Sequence, residues 1–139
     1  MTYHVFLYFL YQDTVEQISP VPELADNYLI LDTREQHEFV VSHIKNAVWV
    51  GYSDFNLDQT LHFPKDTAIL VYCSVGYRSE KIGEQLLKVG FSNVHNIYGG
   101  IFNWKNKGFP VYRNGMETDS LHVYGKGWGF FLREGKRVL

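Results

Sequence analysis

Three short apolar runs punctuate the first half of the chain: Tyr28 to Leu31, ending at Asp32, then Ala47 to Val50, then Ala68 to Tyr72. Each is apolar at consecutive rather than alternate positions, which predicts strands covered on both faces, as in a parallel sheet. Polar, helix-compatible stretches separate them. Ser19-Pro20 followed by Glu23 predicts a helix start, with Ser as cap, Pro in the first turn and an acidic group near the positive end of the dipole. A second short helix is predicted over Glu35 to Val41. The strongest helical pattern is Ser79 to Val89, where Ile82, Leu86 and Val89 fall on one face and Gly90 supplies a stop. A strand at Asn93 to Ile97 follows, then Gly99-Gly100, then a short helix over Ile101 to Lys107 closed by Gly108 and Pro110. This alternation predicts an α/β fold: an open parallel central sheet, right-handed crossovers and helices on both faces.

The two ends carry weaker patterns. Val5 to Tyr11 is apolar on both faces; its Tyr and Phe content favours a strand, with a short buried helix as the alternative. It has no preceding Lys or Arg, no small-residue cleavage site, and far fewer than the roughly 20 residues of a membrane span, so it reads as ordered structure rather than an export signal. Beyond Val111 the periodicity fails. Asn114 to Gly129 holds four of the twelve glycines, yet Tyr124, Trp128, Phe130 and Phe131 are too apolar for a solvated tail. The expected organisation is an N-terminal apolar extension over 1–18, a central domain over 19–113 and a C-terminal aromatic, Gly-rich extension over 114–139, both extensions packed on the domain.

Composition narrows the function classes. At 139 residues, with 45% hydrophobic and 20% charged, the chain can bury one real core. Its formal net charge of -2 offers no broad positive field for a phosphate backbone, so nucleic acid is not an expected partner, and neither is a membrane. The single cysteine rules out an intramolecular disulfide and a Cys-rich zinc site and fits a reducing, cytoplasmic setting. No metal or cofactor is expected.

That cysteine stands where a parallel sheet places its ligands, directly beyond the carboxyl end of a strand. Ala68 to Tyr72 runs into Cys73, and Ser74, Val75, Gly76, Tyr77 and Arg78 lead into the helix signal. A loop this short can turn its N–H groups inward as an anion nest, and the following helix adds positive partial charge. Both favour the thiolate, the reactive form of cysteine. Gly76 can take a positive φ, and Arg78 adds a fixed cation. An isolated cysteine after an apolar strand is commonly inert packing; the Gly, the Arg and the helix start downstream point to a nucleophile instead. Attack of a thiolate on a sulfane sulfur demands no strong general base, so a lone cysteine in an electropositive cradle suffices.

Cys73-Ser-Val-Gly-Tyr-Arg78 resembles the active-site loop of the rhodanese family. Leu31-Asp-Thr-Arg-Glu35 is similar to its Asp-x-Arg motif, and Ser42-His-Ile-Lys-Asn-Ala47 to its Gly-His-Ile-x-x-Ala segment. Tyr98-Gly-Gly-Ile-Phe-Asn-Trp104 with Gly108-Phe-Pro-Val111 is similar to its closing pattern. Together these cover Ser19 to Val111 in the family's order. The resemblance implies a rhodanese-like α/β fold and a sulfurtransferase. Cys73 would carry a persulfide between a small-molecule or protein donor (thiosulfate or a persulfide) and a thiol or cyanide-type acceptor. Residues 74–78 would bind the substrate.

Asp32 and Arg34 are expected to brace that loop rather than react, since an Asp ending a strand receives backbone N–H bonds or pairs with a nearby Arg. His37, His43 and His62 lack metal-ligand spacing, and Phe102 and Trp104 read as core or rim aromatics. Ser74 stands where thiosulfate-type members often carry a basic residue, and Ser42 replaces a usual Gly.

Two alternatives belong to other classes. A cysteine phosphatase or arsenate reductase uses a similar cradle, but the four residues between Cys73 and Arg78 are one fewer than that pattern has. A non-catalytic rhodanese-like binding or persulfide-carrier module is the other.

Overall fold

The computed structural model describes residues 2–123, 132 and 135–139. Its centre is a five-stranded, wholly parallel sheet formed by β1 (Glu16–Ile18), β2 (Leu29–Asp32), β3 (Val48–Trp49), β4 (Ile69–Tyr72) and β5 (Val94–Ile97), in the order β1-β5-β4-β2-β3. Among the described residues the helices are α1 (Tyr3–Leu10), α2 (Leu24–Asn27), α3 (Gln36–Val41), α4 (Tyr77–Lys88) and α5 (Gly100–Asn106), with one 3₁₀ turn at Leu57–Thr60.

The consecutive apolar runs have the expected cause. Along β4, Ile69 and Val71 face one side while Leu70 and Tyr72 face the other, and all four are fully buried. The Ile69 side packs with Leu31, Val94 and the α4 residues Ile82 and Leu86. The opposite side packs with Ile30, Ile97 and residues of α1, α2 and α5, among them Leu7, Leu24, Phe102 and Trp104. Each such side chain contributes about 1.5–3 kcal/mol through burial.

Three expectations are corrected. Val5 to Tyr11, read with strand as the favoured form, is helical as α1: Thr2 Oγ1 accepts from Val5 N at 3.2 Å to cap it. Tyr3 and Leu7, one turn apart, point together into the core, so tertiary burial overrides the β-preference of Tyr and Phe. The helix placed at Ser19-Pro20 begins only at Leu24 and lasts one turn; Glu23 precedes it without a side-chain cap bond, and Ser19 takes no part. Glu16–Ile18, given no element from sequence, is an edge strand paired with β5, too short and polar for an apolar signal.

Past the sheet, β6 (Val111–Arg113) and β7 (Met116–Thr118) form an antiparallel hairpin, and β8 (Ser120–His122) pairs parallel with β9 (Lys136–Val138). Leu121, Val123 and Leu132 are buried in the same apolar cluster as α1 and α5. Tyr124, Trp128, Phe130 and Phe131 lie outside the described residues. No helix among the described residues is long and apolar enough to cross a membrane.

Candidate active site

The site forms at the carboxyl edge of the sheet, beyond the central strand β4. Cys73 follows that strand directly and is 1% exposed. Gly76 has φ of +107°, where a side chain is strained, and its N–H donates to Cys73 Sγ at 3.1 Å. The loop then enters α4.

What turns an amide toward the sulfur is visible in the carbonyls. The Cys73 carbonyl accepts from Ile101 N at 2.9 Å and the Ser74 carbonyl from Phe102 N at 3.2 Å, both in the first turn of α5. The Val75 carbonyl accepts from the Tyr11 phenol at 2.6 Å. The Gly76 carbonyl accepts from Asn96 Nδ2 at 2.9 Å and from Glu80 N at 3.1 Å. Every carbonyl from Cys73 to Gly76 is therefore tied to a partner other than the sulfur. Gly100 explains part of this packing: a Cβ there would lie 2.3 Å from the Ser74 carbonyl oxygen.

Arg78, the cation that the sequence puts on this loop, lines the cavity and pairs with a carboxylate. Its guanidinium donates to both carboxylate oxygens of Glu38, at 2.8 and 3.2 Å, and to Ser74 Oγ at 3.0 Å, while Ser74 Oγ donates to Glu38 Oε2 at 3.1 Å. Burial opposes charge on Glu38, but the hydrogen bonds and charge of Arg78, with Arg34 nearby, outweigh it and hold the carboxyl below its ordinary range. Ser79 Oγ lies 3.5 Å from Cys73 Sγ and donates to Asn96 Oδ1 at 2.6 Å.

Asp32 and Arg34 stand one strand away and touch the loop through Tyr72. Arg34 donates to Asp32 from Nε at 3.1 Å and from Nη2 at 2.7 Å, and Tyr72, next to Cys73, donates its hydroxyl to Asp32 at 2.5 Å; all three residues are buried. Burial and the Asp32 charge push the Tyr72 phenol up, so it remains a donor.

A cavity of about 470 Å³ opens over the sulfur. Cys73, Ser74, Val75, Tyr77 and Arg78 line it, joined by Leu10 of α1, Glu35 and Tyr52. Gly76 is not among the lining residues; its N–H meets the sulfur of Cys73, which is. Among the described lining residues Arg78 is the one cation, and its charge is met by Glu38. No group of three or more His, Cys, Asp or Glu among the described residues could hold a metal.

Four contributors escaped sequence reasoning. Glu38 had a usable signal: three residues after Glu35, it completes the capping box that starts α3. Asn96 is a polar residue next to Ile97 on an inner strand, which also marks it. Tyr11 and Leu10 had none, because only the docking of α1 brings them here.

The profile of the rhodanese-like domain family matches residues 21–107. The chain belongs to this family. Among solved structures, a rhodanese-related protein from Thermoplasma volcanium superposes with a TM-score of 0.62 at 28% identity, covering 70% of this chain and 97% of that one. A thiosulfate sulfurtransferase from Pseudomonas aeruginosa gives 0.64 at 23% identity, over 82% of this chain and 23% of that one, a likeness of fold. In sequence, the tRNA uridine(34) hydroxylase of Photorhabdus laumondii subsp. laumondii is 31% identical over 88% of this chain and 34% of its own length. This rhodanese-like chain thus spans about a third of that relative.

Proposed function

We propose that this chain is a sulfurtransferase in which Cys73 carries the sulfur as a persulfide. The observation that supports it best is the buried Cys73 sulfur, at the floor of the cavity, accepting the Gly76 N–H from a loop whose carbonyls are all tied elsewhere. The Cys73 thiolate attacks the outer sulfur of a donor R–S–SH; the Cys73 Sγ–S bond forms as the donor S–S bond breaks, and R–S⁻ leaves. An acceptor thiolate or cyanide then attacks that outer sulfur and returns Cys73 as thiolate. The Gly76 N–H beside the sulfur matches an anionic outer sulfur, which is charge stabilisation by a fixed dipole. The binding residues are Ser74, Val75, Gly76, Tyr77 and Arg78, with Arg78 and Ser74 acting through Glu38 and with Asp32 and Arg34 holding Tyr72. A phosphatase reading fits poorly, because Arg78 spends its fork on Glu38 rather than on a bound oxyanion.

Intact-protein mass spectrometry tests this. Exposure to a persulfide donor should add one sulfur, removable by cyanide, and Cys73→Ser should gain none. Equal gain in Cys73→Ser would sink the reading.

A second reading follows from the relatives named tRNA uridine(34) hydroxylase. Here the chain serves tRNA modification, which goes against the expectation, drawn from a net charge of -2, that nucleic acid is not a partner. Loss of uridine hydroxylation in tRNA on disabling Cys73, with no sulfur taken up by the purified protein, would favour it over the first.

A further inference from the structure

Val75 C=O and Gly76 N–H belong to one peptide group, and the two ends have different partners. The carbonyl accepts from the Tyr11 phenol at 2.6 Å; the amide donates to Cys73 Sγ at 3.1 Å. A peptide can rotate as a unit when its neighbours allow it, and glycine at 76 allows more than any other residue. Rotated half a turn, the same group would aim its carbonyl oxygen at the sulfur and repel a thiolate or persulfide. The loop therefore needs something to hold that peptide.

Tyr11 is built for it. Its oxygen accepts from Gly99 N at 2.7 Å, so its single proton is left for Val75. Burial pushes the phenol well above its ordinary value, so it stays a donor. The ring also lies against Gly76, where an added Cβ would come within 2.3 Å of the Tyr11 hydroxyl. Gly99 is gripped a second time through its carbonyl, which accepts from Tyr3 one helix length earlier. Tyr11 stands outside residues 21–107, the part matched to the family.

We propose that Tyr11 is a positioning residue: its hydroxyl latches the Val75–Gly76 peptide so that the Gly76 N–H faces the Cys73 sulfur. The latch rests on the sulfur-transfer reading for its purpose, but its geometry can be tested apart from it. It also gives the N-terminal helix a part in the site.

The test compares Tyr11→Phe with Tyr8→Phe in the full chain, Tyr8 being 79% exposed. Both remove one phenol from the same N-terminal segment, and only the first touches the Val75 carbonyl. Two readouts are used: the rate at which iodoacetamide alkylates Cys73, and the change in the Gly76 amide resonance when Cys73 is alkylated. Tyr11→Phe should react about three- to thirtyfold more slowly, the span of one lost hydrogen bond, and its Gly76 response should shrink. Tyr8→Phe should match wild type in both. Wild-type behaviour of Tyr11→Phe, or equal loss in both variants, would overturn the latch. If Tyr11→Phe does not fold, the wild-type response decides: a Gly76 amide that ignores alkylation of Cys73 overturns the latch, and a large response supports it. Failure of wild type to take up sulfur from a persulfide donor would instead remove the sulfurtransferase reading and leave these comparisons standing.

Discussion

Arg78 shows how far one contact can change a residue's role. From sequence it is a cation beside a nucleophile; in the structure it closes a bidentate pair with a buried carboxylate. If its work is bracing rather than attraction, Arg78→Lys should lose the two-pronged contact and lower the urea midpoint. Turnover should fall by a similar factor for thiosulfate and for a less charged organic persulfide. A loss confined to thiosulfate would show that Arg78 acts by attracting the donor's charge instead. Gly100 gives a second prediction at this scale. With φ of +63° and the Cys73 and Ser74 carbonyl oxygens 2.6 and 2.3 Å from where a Cβ would stand, Gly100→Ala has no cheap accommodation. It should destabilise the fold by about 2–5 kcal/mol, combining left-handed strain with overpacking, and an unchanged thermal midpoint would contradict this.

Helix α3 is the element that joins the sheet edge to the loop. Glu38 caps its own helix by accepting from Glu35 N at 3.0 Å, and the same carboxylate holds Arg78 and Ser74. Because Glu38 is held below its ordinary value of 4.5 when folded, it favours the folded state fully above that pH; the contribution is lost as pH falls toward the lowered value. Denaturant midpoints followed from neutral pH downward should therefore drop below about pH 4.5, and Glu38→Gln should flatten that part of the curve while lowering stability at neutral pH. An identical acid limb in Glu38→Gln would show that other carboxylates set it. Helix α5 works differently, through its backbone: the amides of Ile101 and Phe102 take the loop carbonyls, so the Gly-Gly pair earlier in sequence serves close approach.

At the scale of the whole molecule, charge and shape bear on the donor. The chain carries a net charge of -2, and the described lining of the cavity adds Glu35 to a neutralised Arg78–Glu38 pair, with Leu10, Tyr52 and Tyr77 supplying apolar wall. Thiosulfate, a dianion, should be a poor donor beside an organic persulfide, which carries less charge. Raising ionic strength should narrow the gap by screening repulsion over about 8 Å. A thiosulfate rate that falls with salt would mean that attraction dominates at the mouth.

The sheet strands β2 to β5, the helices α3, α4 and α5 and the cysteine loop were legible because each rests on local signals: apolar runs, one-faced spacing at Ile82 and Leu86, and Gly90, Gly99 and Gly76 where the backbone turns left-handed. Those are properties of adjacent residues, and sequence carries them directly. The helical state of Tyr3–Leu10 was not legible, since a short segment of aromatics suits either element until one face finds a core. Nor were the reach of Tyr11 to Val75, the carboxylate of Glu38 under Arg78, or the hold of Asn96 on Gly76. Each joins residues 20 to 64 positions apart, and hydrogen bonds over such separations exist only after the sheet has fixed where its crossovers return.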